Sequence, residues 1–168
     1  MKQSENAAQL VDAIYSRKEG FKGCFADASG LFREIEDNSL VAKEILRHQS
    51  EGIKGVVYYD QSDRLMVWKR EADEGIPFER CRLAKEELAV FWDQQHTTGS
   101  DVKLGLTMTA TVSVGRHTLM RDLIQAVWRM RGLEKGQKVD FIVADEDLQV
   151  IRETLKDVFG REVGGTLD

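Results

Sequence analysis

The chain has 168 residues, 42% of them hydrophobic and 32% charged, with one proline and 14 glycines. This composition suits a single folded domain with a real core and excludes a disordered or low-complexity chain. The net charge of −5 is a poor footing for sequence-independent nucleic-acid binding, which works by neutralising phosphates.

The first twenty residues are too polar for a signal peptide, and no apolar run reaches the length of a membrane span. Cys24 and Cys81 are isolated and lack metal-type spacing, so they read as reduced thiols of a cytoplasmic protein. The charge is unevenly spread. From Gln94 to Val143, seven Lys and Arg stand against four acids, so the basic character gathers in the second half.

Along the chain, Leu10, Val11, Ile14 and Tyr15 share one helical face, and Gly20 lies beyond its end. "FKGCFADASG" reads as a strand and a turn. Asn38 is placed to cap the helix "SLVAKEILRHQ", which turns Val41, Ile45 and Leu46 inward and stops near Gly52. "GVVYYD" is a second strand, and "QSDRLMVWKRE" adds a hairpin or a short further strand. Residues 72–87 are charged, contain Pro77 and read as a surface excursion. "LAVFWDQQ", "ATVSVG" and "KVDFIVAD" read as three more strands buried on both faces. Thr118 is placed to cap "LMRDLIQAVWRMR", and Asp145 or Asp147 to cap "LQVIRETLKDVF", which ends at Gly160.

Strands alternating with helices predict a layered α/β domain with a mostly parallel sheet and helices on both faces. Ligands of such sheets lie beyond the C-terminal ends of the strands. Asp27, Asp60 and the loop "HTTGSD" fall there, as turn residues or as cleft lining.

In the helix near residue 125, Leu119, Leu123, Val127 and Met130 form the expected core stripe, flanked by Met120 and Ile124. Arg121, Gln125 and Arg129 repeat on another side, as a line of planar donors suited to phosphate or carboxylate. A solvated polar face with arginines favoured near a helix C-terminus is the plainer reading. Trp128 lies on the polar side and marks a surface for another domain.

"HTTGSD", "ATVSVG" and "RDLIQAVWRMRGLEKGQKVDFIV", in that order, resemble the second RecA-like domain of superfamily-2 helicases and translocases. Thr97, Gly99 and Asp101 match that family's Thr-x-Gly-x-Asp loop, and Gln125 and Arg129 match its glutamine–arginine helix. A similar run also occurs in a group of very large, uncharacterised proteins. Its carriers here are Asp93, His96, Thr97, Gly99, Asp101, Gln125, Arg129, Met130, Arg131, Lys135, Gly136 and Gln137. The resemblance is specific from about residue 91 to 143. Trp128 stands where the helicase helix has glycine, and Arg131 comes one residue early. Nothing matches the G-x-x-x-x-G-K-[ST] loop or an acidic Walker B pair.

The resemblance implies a three-layer RecA-like, P-loop NTPase-like domain spanning residues 1–168, one half of a motor belonging to a longer protein. ATP and magnesium would be held by the first RecA-like domain, the expected partner, with nucleic acid or a protein as substrate and no membrane. Arg129 would be the arginine finger. Arg131 and Gln125 would support phosphate or interdomain contacts. Asp101 would sit near the ribose or brace the arginines, and Thr97, Thr98 and Gly99 would offer hydroxyls and N–H groups to a nucleic-acid phosphate. The isolated domain would be inactive. One rival is a RecA-like scaffold that has lost motor chemistry. Another is a thiol hydrolase built on Cys24, His96 and Asp93.

Overall fold

A computed structural model describes residues 2–16, 23–97, 102, 105 and 108–159; for 151 and 154–159 only the backbone is described. The elements run α1 (Lys2–Tyr15), β1 (Gly23–Ala26), α2 (Asn38–His48), β2 (Gly55–Tyr59), β3 (Leu65–Lys69), β4 (Ile76–Pro77), β5 (Leu88–Trp92), β6 (Thr109–Val114), α3 (Met120–Trp128), β7 (Lys138–Val143) and α4 (Asp145–Phe159). Seven strands form one sheet in the order β4-β3-β2-β5-β1-β6-β7. The five from β2 to β7 pair in parallel, and β3 and β4 extend the β2 side antiparallel. The chain is thus an α/β domain with a mostly parallel sheet, consistent with a three-layer RecA-like arrangement.

β1, the middle of the five parallel strands, is buried along its whole length. Gly23 opens it at φ +132°, where an added Cβ would lie 2.1 Å from the Thr109 carbonyl oxygen, so only glycine lets β1 and β6 approach there. Phe25, Phe32 and Phe91 meet edge-on or tilted, with ring centres 5.5–6.4 Å apart. Each such side chain, buried rather than exposed, contributes roughly 1.5–3 kcal/mol. Phe32 belongs to the loop after β1, so this cluster pins that loop onto the sheet.

α2 covers β2, β3 and β5, and α1 packs on α2 through Ala7, Val11 and Ile14. The crossovers β1–α2–β2 and β6–α3–β7 run in opposite directions from the centre of the sheet. Right-handed connections therefore put α2 and α3 on opposite faces.

Several expectations are corrected. The α2 cap is Asp37, whose carboxylate accepts from the Ser39 N–H. Asn38 is the first helical residue, and its amide donates to the Tyr59 carbonyl at 2.9 Å and to Asp93. Thr118 does not cap α3; its hydroxyl accepts from the Gly115 N–H, and Leu119 occupies the cap without a side-chain bond. Residues 72–87 contribute β4 and two single-turn helices, so part of the excursion extends the sheet. β7 is a partly exposed edge strand, because among the described residues β6 is its one neighbour. The side chains of Ile151, Leu155 and Phe159, and Gly160, the expected end of this helix, lie outside what is described. Among the described residues, no helix is long and apolar enough to cross a membrane.

Candidate functional site

β2, β5 and β1 are neighbours, and each is followed at once by an aspartate: Asp60, Asp93 and Asp27. Because the strands are parallel, all three carboxylates reach the same edge. There they line a cleft of about 480 Å³ with Glu36, Asp63 and His96.

Asp27 is 1% exposed and fully engaged. It accepts from the Leu31 N–H at 2.8 Å, the Phe32 N–H at 2.9 Å and the Ser113 hydroxyl at 2.7 Å. It therefore ties the loop after β1 to the end of β6, and its role is to hold the cleft floor. Asp60 folds the β2–β3 turn, accepting from the Ser62 and Arg64 N–H groups and from Arg64 Nε at 2.8 Å. Slight burial pushes its carboxyl up, but the hydrogen bonds and charge of Arg64 prevail and hold it below the usual carboxylate range.

Asp93 positions His96. Its carboxylate accepts from the His96 backbone N–H at 3.0 Å and lies 2.8 Å from Nδ1. The ring stacks on Tyr59, with centres 4.0 Å apart and planes 4° from parallel. Nε2 faces Asp63, 3.1 Å away on the β2–β3 turn, and Asp63 holds a left-handed φ of 57°. A carboxylate only accepts, so either contact as a hydrogen bond needs a proton on the facing ring nitrogen. A fixed His–Asp pair at a cleft rim can move a proton, and the surrounding acids favour neutral or cationic ligands over phosphates.

Cys24 does not serve that pair as a nucleophile. It is 2% exposed, its sulfur accepts from the Val90 N–H at 3.3 Å, and burial pushes the thiol up to about 12. A thiol hydrolase needs the opposite shift. Cys24 and Cys81 are both free.

The arginines lie at the other end of the sheet. β6 and β7 are parallel, so α3 between them runs back towards the N-terminal ends of the strands. α3 ends at Trp128, and Arg129 to Arg131 form the following turn. Arg129 Nε donates to the Gln125 carbonyl at 3.4 Å. Trp128, Arg129, Met130 and Arg131 line an open hollow of about 390 Å³. Gln125 Oε1 is buried and has no hydrogen-bond partner among the described residues. Arg121, third on the expected donor line, lies beside Asp122 at 3.1 Å.

Gln137, 6% exposed, fixes this corner. Its Oε1 accepts from the Gly132 N–H at 2.6 Å, and its Nε2 donates to the Gly105 carbonyl at 2.8 Å. Lys138 N–H adds a bond to the Met108 carbonyl at 3.2 Å. The turn carrying the arginines is thereby strapped to the segment leading into β6.

Of the loop residues expected in the site, Thr97 is described; Thr98, Gly99 and Asp101 lie outside the described residues. Thr97 is 2% exposed, and its hydroxyl donates to the Gln94 carbonyl at 3.0 Å, so it closes a turn rather than offering itself to a phosphate. It stands at the C-terminal edge, a strand length of roughly 20 Å from the arginine turn. Arg129 and Arg131 thus line one hollow, Gln125 joins them through its backbone carbonyl to Arg129, and Thr97 is not with them.

The core stripe of α3 is also revised. Ala126 and Met130 are buried, and Leu123 and Val127 pack against the core. Leu119, Met120 and Ile124 are exposed, as is Trp128 at 72%. Sequence reasoning passed over the Asn38–Asp93 contact and the Tyr59–His96 stack, whose partners lie far apart in the chain. The Asp93–His96 spacing of three residues was the one local signal.

Comparison with protein-family models, with curated proteins and with solved structures gives no match, so the functional reading rests on this geometry.

Proposed function

We propose that the chain is the C-terminal motor half of a helicase-like ATPase, presenting arginines to ATP bound on a first RecA-like domain and inactive alone. The observation that supports this best is the hollow at residues 128–131. It is lined by two arginines four and six residues after Gln125, on a turn strapped by Gln137. Arginine forks match phosphate oxygens, and a rigid turn spares the entropy of ordering them. The cleft at the opposite edge is too acidic for a triphosphate. In this reading Arg129 stabilises charge on the transferred phosphoryl group, Arg131 and Gln125 support it, and magnesium and the phosphate loop come from the partner domain. The proposal keeps Asp101 near the ribose or bracing the arginines, and Thr98 and Gly99 as contacts to a nucleic-acid phosphate. The exposed line Met120, Ile124 and Trp128 favours a second reading, a RecA-like interaction module without nucleotide chemistry.

The test is a calorimetric titration of the chain with tripolyphosphate at low salt. A Kd near ~1 mM, or about −4 kcal/mol, is expected, weakening as salt screens the charges and falling at least about tenfold in Arg129→Ala. Binding unchanged in Arg129→Ala and Arg131→Ala would remove the arginines from any phosphate role. Mg-ATP turnover by the chain alone, lost in Arg129→Ala, would contradict the half-motor assignment. No binding of tripolyphosphate or ATP leaves the interaction module.

A further inference from the structure

The sequence puts a tryptophan where the resembled helix has glycine, and the phosphate reading gives that tryptophan no task. Trp128 closes α3 and is 72% exposed, the most exposed of the large apolar side chains among the described residues. It is not left outside the hollow: Trp128 lines it together with Arg129, Met130 and Arg131. An accessible aromatic face beside planar cations holds a nucleobase above its own phosphates. Stacking tolerates any base because every base has a π-face, while arginine forks take the phosphate oxygens. A hollow of about 390 Å³ falls within the size range of small-molecule sites. The other two tryptophans are not available for this. Trp92 is fully buried, and Trp68 is half-buried with Lys43 over its ring at 5.4 Å.

We propose that Trp128 is a base-stacking residue and that the hollow takes a nucleotide unit, a base together with its phosphate, a role resting on the phosphate reading of Arg129 and Arg131. The same chemistry is offered by a free nucleotide and by a single strand. The ligands that separate the cases are tripolyphosphate, ATP and an eight-nucleotide single strand, each titrated calorimetrically into the wild-type chain and into Trp128→Ala and Trp128→Phe.

Wild type is expected to bind ATP about tenfold more tightly than tripolyphosphate, the usual scale of one stacked base. Trp128→Ala removes that advantage and leaves tripolyphosphate binding unchanged, and Trp128→Phe retains most of it. A strand bound more tightly than ATP with the same loss in Trp128→Ala identifies the strand as the ligand; the reverse order identifies the free nucleotide. Equal affinity of wild type for ATP and tripolyphosphate overturns the stacking role while leaving the arginine reading intact. So does a Trp128→Ala variant that loses both ligands alike, since the indole then acts only on structure. If tripolyphosphate itself does not bind, the phosphate reading falls first and the stacking role with it.

Discussion

Replacing Asp27 by Asn tests whether the cleft floor is held by one carboxylate. The change is nearly isosteric, so no cavity forms. One acceptor oxygen becomes an NH2 group facing the Phe32 or Leu31 N–H, donor against donor. Both N–H groups now bond the carboxylate at 2.8–2.9 Å, and the side chain is 1% exposed. A hydrogen bond to a charged group contributes about 1.5–3 kcal/mol, and a stranded buried N–H costs about 1–3 kcal/mol. The Ser113 hydroxyl can rotate to accept from the new amide, which recovers part of the loss. The expected destabilisation is about 2–4 kcal/mol. With a urea m-value of about 2 kcal/mol/M for a domain of this size, the midpoint of unfolding falls by roughly 1–2 M with m unchanged. A drop below about 0.3 M would refute the assignment of Asp27 as the clamp of the loop after β1.

Cys81 is half-buried and Cys24 fully so, so a thiol reagent at pH 8 should label Cys81 within minutes and Cys24 only on unfolding; fast labelling of Cys24, followed by mass spectrometry, would contradict its placement in β1. Its thiol, raised to about 12, stabilises the fold fully below the unfolded value of about 8.5. That contribution is lost as pH climbs from there towards 12, and Cys24→Ala should flatten this alkaline loss in a thermal-melt series. Asp60 has a lowered pKa, so its contribution is present above the unfolded value near ~3.9 and disappears as pH falls below it. Arg64→Ala should shrink that acid loss by no more than about 1 kcal/mol, because Arg64 is largely exposed. Gln137→Ala strands the Gly132 N–H and the Gly105 carbonyl and should cost about 2–3 kcal/mol in urea unfolding. It should also weaken tripolyphosphate binding more than Arg121→Ala does; equal effects would mean that the strap does not set the arginines.

The strands were legible because a buried parallel strand must be a short apolar run between polar ends, and β1, β2, β5 and β6 obey that rule. β7 reads the same way in sequence, yet "KVDFIV" is an edge strand, and composition does not tell how many neighbours a strand has. Helix caps failed by one residue: Asp37 and Asn38 are both good caps, and Asn38 is drawn away by Tyr59 and Asp93. On α3, Leu123, Val127 and Met130 turn inward as their spacing indicates. Leu119 does not, because it is the cap, with extended φ and ψ of −76° and 145°. Ala126, rather than the larger Ile124, takes the buried position, leaving Met120 and Ile124 outside. In the site, the sequence placed Asp27, Asp60 and the loop that begins at His96 at one edge by the parallel rule alone, while Asp93 reads as part of its strand. It joined Thr97 to the arginines through a resemblance, and the parallel pairing of β6 and β7 put them at opposite ends.

Which end of the sheet meets phosphate is decided most directly by arginine footprinting. The chain is modified with phenylglyoxal with and without tripolyphosphate, and each arginine is followed by mass spectrometry. The arginine-hollow account predicts protection of Arg129 and Arg131 and none of Arg33 at the acidic cleft. Protection of Arg33 with Arg129 and Arg131 modified as before would contradict it.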